Sequence, residues 1–490
     1  MLRFDLVVVG GGIAGCAAAL SAAREGARVA LLTRHPDPEE SNTRYAQGGI
    51  IHPDPDEPRE LLIHDILEAG GGEPEAARLL AAEGPELVER LLIEELGVPF
   101  DRDEGGALHR TREAAHSTAR VIHRRDTTGA AIQEALTRAV LAQEGVQVFA
   151  GVRALSLLSG EGGCGGVVAL YRGEILGIVG HTVLATGGLG ALYRHTTNPP
   201  GALGEGIALA LRAGAKVADL HYVQFHPTAL YEKEGERRFL VSEAVRGEGA
   251  VLVGEDGEEI VDHPLGSLAP RDVVARAVWS AMAESDPPCV YLDATGHPPG
   301  RFAARFPAIY ARCREIGIDP ERERIPVVPA AHYSCGGVEA DANGRTTLEG
   351  LWAAGEVART GLHGANRLAS TSLLEGLVWG WRAGRDAASS GCARPPLPLP
   401  QIAPPAPAPE AAWRRLREVM WERGGILRTA AGLQRGIEEL EELRERYGRT
   451  ELGSPLLVAR AILEGALAEG ESRGCHHRED APVGSGVRGA

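Results

Sequence analysis

The sequence predicts an α/β protein: a Rossmann-type dinucleotide-binding domain, an inserted α+β capping domain and a C-terminal helical bundle. Three observations predict this fold. The chain opens with an apolar strand, a glycine-rich loop and a helix, which is typical of a dinucleotide-binding βαβ unit. Mixed strand and helix patterns interrupt the middle of the chain. A proline-rich segment then precedes two amphipathic helical patterns.

The opening strand and loop indicate a phosphate-binding turn. Leu6-Val7-Val8-Val9 is a continuous apolar run, as expected for a buried parallel strand, and a helical pattern runs from Cys16 to Arg24. Between them, Gly10 permits the tight turn and Gly12 lets the backbone approach a pyrophosphate. Gly15 lets the helix pack closely against the strand, so the spacing predicts dinucleotide binding.

The remaining strands predict a domain that is interrupted and then resumes. A second apolar strand, Ala27 to Leu32, is followed by Thr33-Arg34, where an acidic residue that holds the ribose is usual, so the adenosine contact stays unassigned. From about Tyr222 to Ala331 strand and helix patterns are mixed, which indicates an insertion. Leu351-Trp352-Ala353 then leads into a glycine turn at Gly355, which indicates that the dinucleotide domain resumes.

The end of the chain predicts a linker and a helical bundle. Ala393 to Pro409 holds eight prolines in seventeen positions, which indicates a stiff polyproline linker. Two helical faces follow, one of Trp413, Leu416 and Met420 and one of Leu433, Ile437, Leu440 and Leu443. The expected domains are 1–222 and 334–392 for the two parts of the dinucleotide-binding domain, 223–333 for the cap, 393–409 for the linker, and 410–490 for the helical domain and tail.

The composition excludes several classes of protein. The 490 residues carry a formal net charge of −16, which disfavours binding to nucleic acid or to acidic membrane surfaces. No apolar run reaches the roughly 18 residues of a membrane-spanning helix, and the start of the sequence has no signal-peptide layout. Seven cysteines without a CxxC pair argue against a zinc or iron–sulfur site and against a disulfide framework. We therefore expect a cytoplasmic protein without a metal, in which any anionic ligand meets a local cluster of Arg and His.

Five segments, in one order, carry a family resemblance. They are Ser41-Asn42-Thr43-Arg44-Tyr45-Ala46-Gln47-Gly48-Gly49, then Ala185-Thr186-Gly187-Gly188, then Thr196-Thr197-Asn198-Pro199, then Gln224-Phe225-His226-Pro227-Thr228, and last His363-Gly364-Ala365-Asn366-Arg367 with Ser372-Leu373-Leu374-Glu375 after it. Each segment alone is weak, but the ordered set resembles the flavoprotein family of succinate dehydrogenase, fumarate reductase and L-aspartate oxidase over nearly the whole chain.

The resemblance implies FAD, bound in an extended form across the first domain. The residues that match cofactor-binding positions are Gly10, Gly12, Gly15, Ser41, Thr43, Ala46, Gln47, Gly48, Gly49, Ala185, Thr186, Gly187, Glu356, Asn366, Ser372 and Leu373. Among these, Glu356 is expected to accept hydrogen bonds from ribityl hydroxyls. Asn42 stands where the respiratory complexes usually carry a histidine joined covalently to the flavin. Because asparagine cannot form that bond, we expect non-covalent FAD.

The resemblance also implies a dicarboxylate site. The residues that match substrate-binding positions are Glu113, His226, Thr228, His332 and Arg367. Arg367 offers a planar fork for a carboxylate, and both histidines can donate hydrogen bonds to one. Arg271 lies where the family places its proton-transfer group, and Glu243 and Arg246 match the proton pathway behind it, so these three are the expected catalytic residues.

Glu113, at the end of Thr111-Arg112-Glu113, is the residue that indicates a substrate with an amino group. The resemblance to L-aspartate oxidase places a glutamate here, near the amino group of the substrate, and an ammonium among arginines needs a compensating carboxylate. The other interpretation is a helix-surface glutamate that pairs with Arg112 or Arg120. Ala114 and Ala115 stand where the family usually has glycines, which bears on the flexibility of this loop. The charged run from Glu471 to Asp480, taken alone, indicates a solvated tail.

The resemblance implies one activity and leaves two alternatives. The activity is FAD-dependent oxidation of L-aspartate to iminoaspartate by hydride transfer to flavin N5, with oxygen (giving hydrogen peroxide) or fumarate as the electron acceptor. It supplies quinolinate synthase in NAD biosynthesis. The enzymatic alternative is a soluble fumarate reductase or succinate dehydrogenase flavoprotein, which Glu113 and Asn42 disfavour. The third hypothesis is a non-catalytic flavin-binding or RNA-associated module. The acidic charge argues against RNA, and the His and Arg set argues against an inactive protein.

Overall fold

The computed structural model describes residues 1–160, 163–232, 237–283, 285–391, 399–400 and 402–481. The strands are β1 (Leu2–Val9), β2 (Val29–Thr33), β3 (Ile50–Ile51), β4 (Arg110–Thr111), β5 (Val121–Ile122), β6 (Val146–Ala150), β7 (Val152–Gly160), β8 (Gly163–Tyr171), β9 (Glu174–Leu184), β10 (Val217–Ala218), β11 (Val223–Leu230), β12 (Val251–Val253), β13 (Val290–Asp293), β14 (Ile325–Ser334), β15 (Gly337–Glu339), β16 (Leu351–Ala353) and β17 (Ala358–Arg359).

The helices alternate with these strands and then close the chain. They are α1 (Ile13–Arg24), α2 (Arg59–Gly70), α3 (Pro74–Leu87) with a π-helical continuation (Val88–Glu95), α4 (Thr128–Ala142), α5 (Glu205–Arg212), α6 (Glu243–Gly247), α7 (Arg271–Met282), α8 (Arg301–Arg305), α9 (Pro307–Glu315), α10 (Thr371–Ser389), α11 (Glu410–Arg423), α12 (Ala430–Tyr447) and α13 (Gly453–Ala468). Among the described residues, no helix is long and apolar enough to cross a membrane.

A mixed sheet forms the centre of the first domain, in the order β6-β2-β1-β9-β8-β7. Strands β6, β2, β1 and β9 are parallel, and β16 joins the C-terminal half of β9, also in parallel. The carboxyl ends of β1, β9 and β16 therefore meet at one edge, at Val9, Leu184 and Ala353. Loops at this edge of a parallel sheet bind ligands in open α/β folds, so the topology predicts where the site lies.

Two helices cover the face of this sheet at very close range. Cβ atoms built on Gly380 and Gly384 of α10 would lie 2.3 Å from the Ala14 carbonyl oxygen and 2.1 Å from the Ala18 carbonyl oxygen of α1. Only glycine permits this approach, because any side chain at these positions would force the helices apart. The contact draws the segment before α10, which contains Arg367, toward the glycine turn after β1.

The cap is a separate antiparallel sheet with its own core. Its strands follow the order β11-β14-β13-β12. Helices α6 to α9 pack on it around buried apolar side chains that include Leu230, Val278, Leu292 and Phe306. The chain enters this sheet through β11 and leaves it through β14, which pair along their length, so both crossings to the dinucleotide domain are adjacent.

The three C-terminal helices share a core with the dinucleotide domain. Leu416, Leu440 and Ile462 belong to the same buried cluster as Leu189 and Phe225. The predicted linker lies partly outside the described residues, but its described part contacts the bundle, since the Glu451 N–H donates to the Ala406 carbonyl at 2.9 Å. The domain bounds stay predictions.

The charged run near the C-terminus is not a solvated tail. Cys475 and His476 are only 8% and 0% exposed, because the run folds back under α2 and the segment before α10. The Cys475 N–H donates to the Ala365 carbonyl at 2.9 Å, and the Cys475 thiol lies 3.3 Å from Oδ1 of Asn366. Charge and sequence position indicated exposure, but backbone pairing and the hydrogen bonds between Ser472 and the backbone of Arg478 satisfy polar groups of the run instead.

Candidate active site

One elongated cavity of about 580 Å³ lies at the carboxyl edge of the central sheet and continues beneath the cap. Most of the residues predicted from the sequence line it. They are Gly10, Gly12, Ser41, Thr43, Ala46, Gln47, Gly48, Gly49, Glu113, Ala185, Thr186, Gly187, His226, Glu243, Arg271, His332, Glu356, Arg367, Ser372 and Leu373. The cavity therefore joins the predicted cofactor residues and the predicted substrate residues in one continuous space.

The glycine turn after β1 forms the first wall. Gly10 has a φ of +119°, and a Cβ there would lie 2.1 Å from the Ala185 carbonyl oxygen. Gly12 begins α1, and its Cβ would lie 3.2 Å from Thr43 Oγ1, so a side chain would fill the space that a phosphate needs. The Ile13 N–H donates to Thr43 Oγ1 at 3.0 Å, and the dipole of α1 favours an anion at this helix start.

A buried carboxylate marks the middle of the cavity. The Ser334 N–H donates to Glu356 Oε1 at 3.0 Å, and Asn42 Nδ2 donates to Glu356 Oε2 at 3.3 Å. Burial raises the pKa of Glu356 to about 7, against the effect of these donors and of Arg367. A carboxylate that is held here and faces the cavity suits the hydroxyls of a ribityl chain.

Buried polar atoms without a hydrogen-bond partner indicate which groups a bound molecule would contact in the cavity. Among the described residues, Gln47 Oε1, Thr186 Oγ1 and Arg367 Nε are buried and make no hydrogen bond. All three residues line the cavity. Buried polar groups are nearly always satisfied, so these three atoms offer hydrogen bonds to molecules bound in the cavity. With the glycine turn and Glu356, these atoms fit FAD and an anionic substrate beside it.

Residues that the sequence analysis missed hold the cofactor wall in place. Ser41 Oγ donates to Gln133 Oε1 at 2.7 Å, and Gln133 Nε2 donates to the Gly11 carbonyl at 2.8 Å, so α4 fixes both glycine segments. Glu40 lies among the lining residues near the end of β2 and accepts from the Tyr45 hydroxyl at 2.7 Å. Gln133 lies 92 residues from Ser41 and 122 residues from Gly11, and no local pattern signals such contacts.

The raised pKa of Glu356 predicts a pH effect on stability. Its folded pKa of about 7 lies above its ordinary value of 4.5, so between these pH values the FAD-free native state holds a proton that the unfolded state has lost. The Glu356 contribution to the free energy of unfolding therefore falls as the pH rises, by about 3 kcal/mol in total. Denaturant unfolding from pH 4.5 to 8, compared with Glu356→Gln, measures it. Parallel curves for the two proteins would contradict the prediction.

The two histidines of the substrate end are neutral and have defined tautomers. The Thr228 N–H donates to Nδ1 of His226 at 3.2 Å, so the ring proton of His226 is on Nε2. Arg367 Nη2 lies 3.3 Å from Nε2 of His332, which must accept, and Nδ1–H of His332 then donates to Thr197 Oγ1 at 2.8 Å. Burial, and then the nearby arginines, hold both pKa values well below 6.5. His226 is thus a donor, whereas His332 orients the guanidinium.

Arg367 is held flat for a carboxylate. Its guanidinium lies 4.4 Å above the ring of Tyr333. The Tyr333 hydroxyl donates to Glu375 Oε2 at 2.6 Å, and His363 Nε2 lies 2.9 Å from the same oxygen. The sequence motif contains His363 and Glu375, but only the structure shows their role, which is to fix the ring beneath the arginine.

Glu113 lies in a buried loop and pairs with neither Arg112 nor Arg120. It is 4% exposed and accepts from Ser370 Oγ at 2.7 Å. Burial raises its pKa, the charge of Glu243 adds to the rise, and Arg271 and Arg367 oppose it. A cationic group placed beside this carboxylate would restore its charged form.

A buried ion cluster anchors the loop that carries Glu113. Arg120, which is fully buried, donates from Nε to Glu57 Oε1 at 2.7 Å and binds Asp65. The Ser117 N–H donates to Asp65 Oδ2 at 2.8 Å. Ala115 takes a φ of +62°, a left-handed conformation that costs an alanine about 1 kcal/mol. This loop is therefore built rigidly rather than left flexible.

The three predicted catalytic residues form a chain that leads away from the cavity. Arg271 Nε donates to Glu243 Oε2 at 2.5 Å, and Arg246 Nη2 lies 3.7 Å from Glu243 Oε1. Burial by itself would raise the pKa of Glu243, but the charges of Arg271 and Arg246 bring it below 4.5. The arrangement can pass a proton inward from the side of Arg271 that faces the cavity.

Four predicted site residues lie outside the lining. Gly15 supports the turn, because its Cβ would lie 1.8 Å from the Gly10 carbonyl oxygen. Thr228 binds His226, and Arg246 lies behind Glu243. Asn366 accepts from Gln224 Nε2 at 2.8 Å, while Gln224 Oε1 accepts from Arg271 Nη1 at 3.1 Å, so Asn366 reaches the site through Gln224.

Comparison with known proteins shows the family of the chain. Residues 5–373 match the FAD binding domain family, and residues 413–455 match the fumarate reductase flavoprotein C-terminal family. L-aspartate oxidase of Halobacterium salinarum is 47% identical over 97% of this chain and 96% of its own length. The Mycobacterium tuberculosis protein of the same name is 45% identical over 98% and 92%. A solved mutant of E. coli quinol fumarate reductase superposes with a TM-score of 0.91 at 30% identity, covering 100% of this chain and 94% of that one.

These likenesses confirm the predicted resemblance, the fold class and FAD as the cofactor. The two matched families also cover most of the chain, from the β1 strand into the C-terminal helices. The chain therefore belongs to the L-aspartate oxidase family, within the flavoproteins that include fumarate reductase.

Proposed function

We propose that the protein oxidises L-aspartate to iminoaspartate with FAD as the electron acceptor. The observation that carries this proposal is the combination of Arg271 and Arg367 with one buried acid, Glu113, at the end of the cofactor cavity. Arg367 and the Nε2–H of His226 suit the carboxylates of the substrate, and Glu113 suits its ammonium. Arg271, which is already paired with Glu243, is left to accept the substrate proton. A substrate without an amino group gives Glu113 no partner.

The residues of this chain bind and orient the substrate. Arg367 takes one carboxylate with its unpartnered Nε, and the Nε2–H of His226 donates to a carboxylate oxygen. Glu113 binds the ammonium. The cap supplies His226 and Arg271 and the dinucleotide domain supplies Glu113 and Arg367, so a closed cap is needed to complete the site and exclude water.

The reaction separates a hydride from a proton. The ammonium of aspartate loses one proton, and Cα–H leaves as hydride, which yields the protonated imine. Arg271 accepts the substrate proton at the same time as it passes its own Nε proton to Glu243, so the guanidinium keeps its charge. Arg246, beside Glu243, is the next group of the proton pathway. FAD, held by the glycine turn and Glu356, would supply the hydride acceptor, and the two electrons would then pass to oxygen, giving hydrogen peroxide, or to fumarate, giving succinate.

The cofactor is proposed to be dissociable. Asn42 lies on the cavity wall, and its Nδ2 donates a hydrogen bond to Glu356. An amide side chain has no nucleophile that could form a covalent bond to the flavin. Denaturing the purified yellow protein in acid should release all flavin into the supernatant. Flavin that stays with the precipitated chain would reject this part of the proposal.

The family resemblance alone supports the proposals that iminoaspartate passes to quinolinate synthase in NAD biosynthesis and that the protein is cytoplasmic. Neither depends on the geometry of the site. The activity itself is tested by anaerobic mixing, in which L-aspartate should bleach the flavin absorbance faster than succinate or other amino acids. If succinate bleached it and aspartate did not, the alternative succinate dehydrogenase assignment would replace this one.

Glu113→Gln separates the two enzymatic assignments. We expect aspartate oxidation to fall at least a hundredfold, because a neutral amide cannot balance the substrate ammonium, while fumarate reduction by the chemically reduced enzyme stays within about threefold. Steady-state kinetics in both directions measure the two effects. Glu104→Gln, an exposed acid nine residues earlier, is the matched control. Equal losses in both directions would favour the fumarate reductase assignment.

A further inference from the structure

A second cavity, the rim cleft, lies where the cap meets the dinucleotide domain on the outside of the molecule. It has a volume of about 490 Å³ and shares no lining residue with the inner cavity. One wall comes from residues 100–102, His109 and residues 123–125 of the dinucleotide domain, and the other comes from Ala304 and Arg305 of α8 in the cap.

The wall of the rim cleft is strongly cationic. It contains four arginines and one carboxylate, Asp101, which binds Arg124 at 2.8 Å. Arg305 forms a longer ion pair with Glu248, whose Oε1 lies 3.8 Å from its Nε. Within the described residues, no carboxylate pairs with Arg102 or Arg125, whose side chains are exposed. The cleft is therefore a local positive region on a chain whose formal net charge is −16.

Other charged groups near the cleft offset this excess only in part, since Asp126 also acts on Arg305 but binds N–H groups of α9. Asp103 follows Arg102, but its Oδ1 accepts from the N–H groups of Gly105 and Ala107, at 2.9 Å each, within its own turn. Burial and then Arg305 lower the pKa of His123 to about 4, so this ring is neutral near pH 7. The positive potential of the cleft therefore comes from its arginines.

The rim cleft lies next to the inner site. His109 lines the cleft and Glu113 lines the inner cavity, and the four Cα-to-Cα steps that join them span at most roughly 14 Å. Burial lowers the pKa of Arg305, and Glu113 is among the carboxylates that oppose this fall, so the two sites lie within electrostatic reach.

The cleft also spans the seam that closes the cap. Arg305 Nη1 donates to the Arg125 carbonyl at 3.1 Å, and Asp126 Oδ2 accepts from the N–H groups of Ala308 and Ile309, at 2.8 and 2.9 Å. These contacts join the start of α9 to the dinucleotide domain. A substrate that enters beneath the cap when these contacts open passes beside the arginines.

We propose that the rim cleft is an outer binding site for four-carbon dicarboxylates, which captures them before the cap closes over the inner site. Aspartate, with a net charge of −1, and fumarate, with −2, are both repelled at long range by a chain of charge −16, and a local cationic cleft at the seam reverses that repulsion. This inference rests on the proposed function for its substrate. It concerns the rate of capture and not the chemical step.

The test compares capture rates in the holoenzyme at low ionic strength. In Arg102→Gln/Arg125→Gln, the second-order rate constant for anaerobic bleaching of the flavin by aspartate should fall about five- to tenfold. The limiting first-order rate should stay unchanged, and the difference should vanish at about 0.5 M NaCl, where the Debye length is short. Arg102→Lys/Arg125→Lys should stay within twofold of the native protein, as should the control Arg28→Gln/Arg138→Gln, which removes two exposed arginines elsewhere.

Each outcome either supports or overturns the outer binding site. Equal second-order constants for the Gln double variant and the native protein at low salt would overturn the proposal. A fall in the limiting rate, or a loss that the Lys variant does not restore, would assign the arginines to structure and overturn it as well. If aspartate fails to bleach even the native protein, the proposed function fails. The same comparison is then made with fumarate reoxidising the dithionite-reduced holoenzyme, which tests the cleft with a dianion that has no amino group.

Discussion

Arg367→Leu is expected to abolish turnover of aspartate while FAD stays bound. Leucine removes the only buried guanidinium that is stacked on Tyr333 and that offers a free Nε to the cavity, within the part of the chain that the structure describes. Losing one partner of a buried charged pair costs about 4 kcal/mol, so kcat/KM should fall about a thousandfold. Steady-state oxidation and the flavin-to-protein absorbance ratio measure the two parts of this prediction.

The control for Arg367→Leu is Arg385→Leu, which removes an exposed arginine of the same domain from the outer face of α10. It should keep native kinetics. Arg367→Lys should recover only part of the loss, because an ammonium cannot replace a planar fork. Unchanged kinetics in Arg367→Leu would remove the dicarboxylate assignment. Loss of flavin together with activity would instead show that Arg367 serves the cofactor.

Arg271→Gln is expected to lower kcat a hundred- to ten-thousandfold with a smaller change in KM. The variant leaves a shorter, uncharged but still polar side chain and takes the proton-transfer group away from Glu243, and such groups contribute factors of this size. Single-turnover reduction of the flavin isolates this step from reoxidation. Arg314→Gln, an exposed position of the cap, is the matched control.

The relay predicts a second signature for Arg271. In Glu243→Gln the carboxylate that receives the proton is lost while Arg271 remains, so kcat should fall in the same range as in Arg271→Gln. The double variant should lose little more than either single variant, because residues that act as one unit are not additive. Fully additive losses would mean that Arg271 and Glu243 act independently and would contradict the relay.

Local patterns were enough to predict the framework of the fold. The apolar run ending at Val9 and the three glycines after it are local features, and they become β1 and the turn before α1. Helix α1 begins at Ile13, three residues earlier than its predicted start, because its N-cap is Gly12, which has no side chain to mark that point. The motifs around Gln47, His226 and Arg367 lie far apart in sequence but line one cavity.

Long-range contacts could not be predicted from the sequence. The bond between Gln133 and Gly11 and the pairing of Asn366 with Gln224 join segments more than a hundred residues apart. The burial of Cys475 was predicted wrongly, because a run of charged residues is usually solvated. Here the backbone of the run pairs with Ala365, and this pairing depends on the tertiary structure rather than on local composition.

The packing of the segment around Cys475 against Ala365 and Asn366 has a consequence for synthesis of the protein. Asn366, which holds Gln224 and through it Arg271, is completed by Cys475, more than a hundred residues later in the chain. While a ribosome is still adding residues between them, the nascent chain has its glycine turn and its cap but not the final support of its catalytic arginine. Full oxidase activity, and with it peroxide release, should therefore begin only after translation has passed this segment.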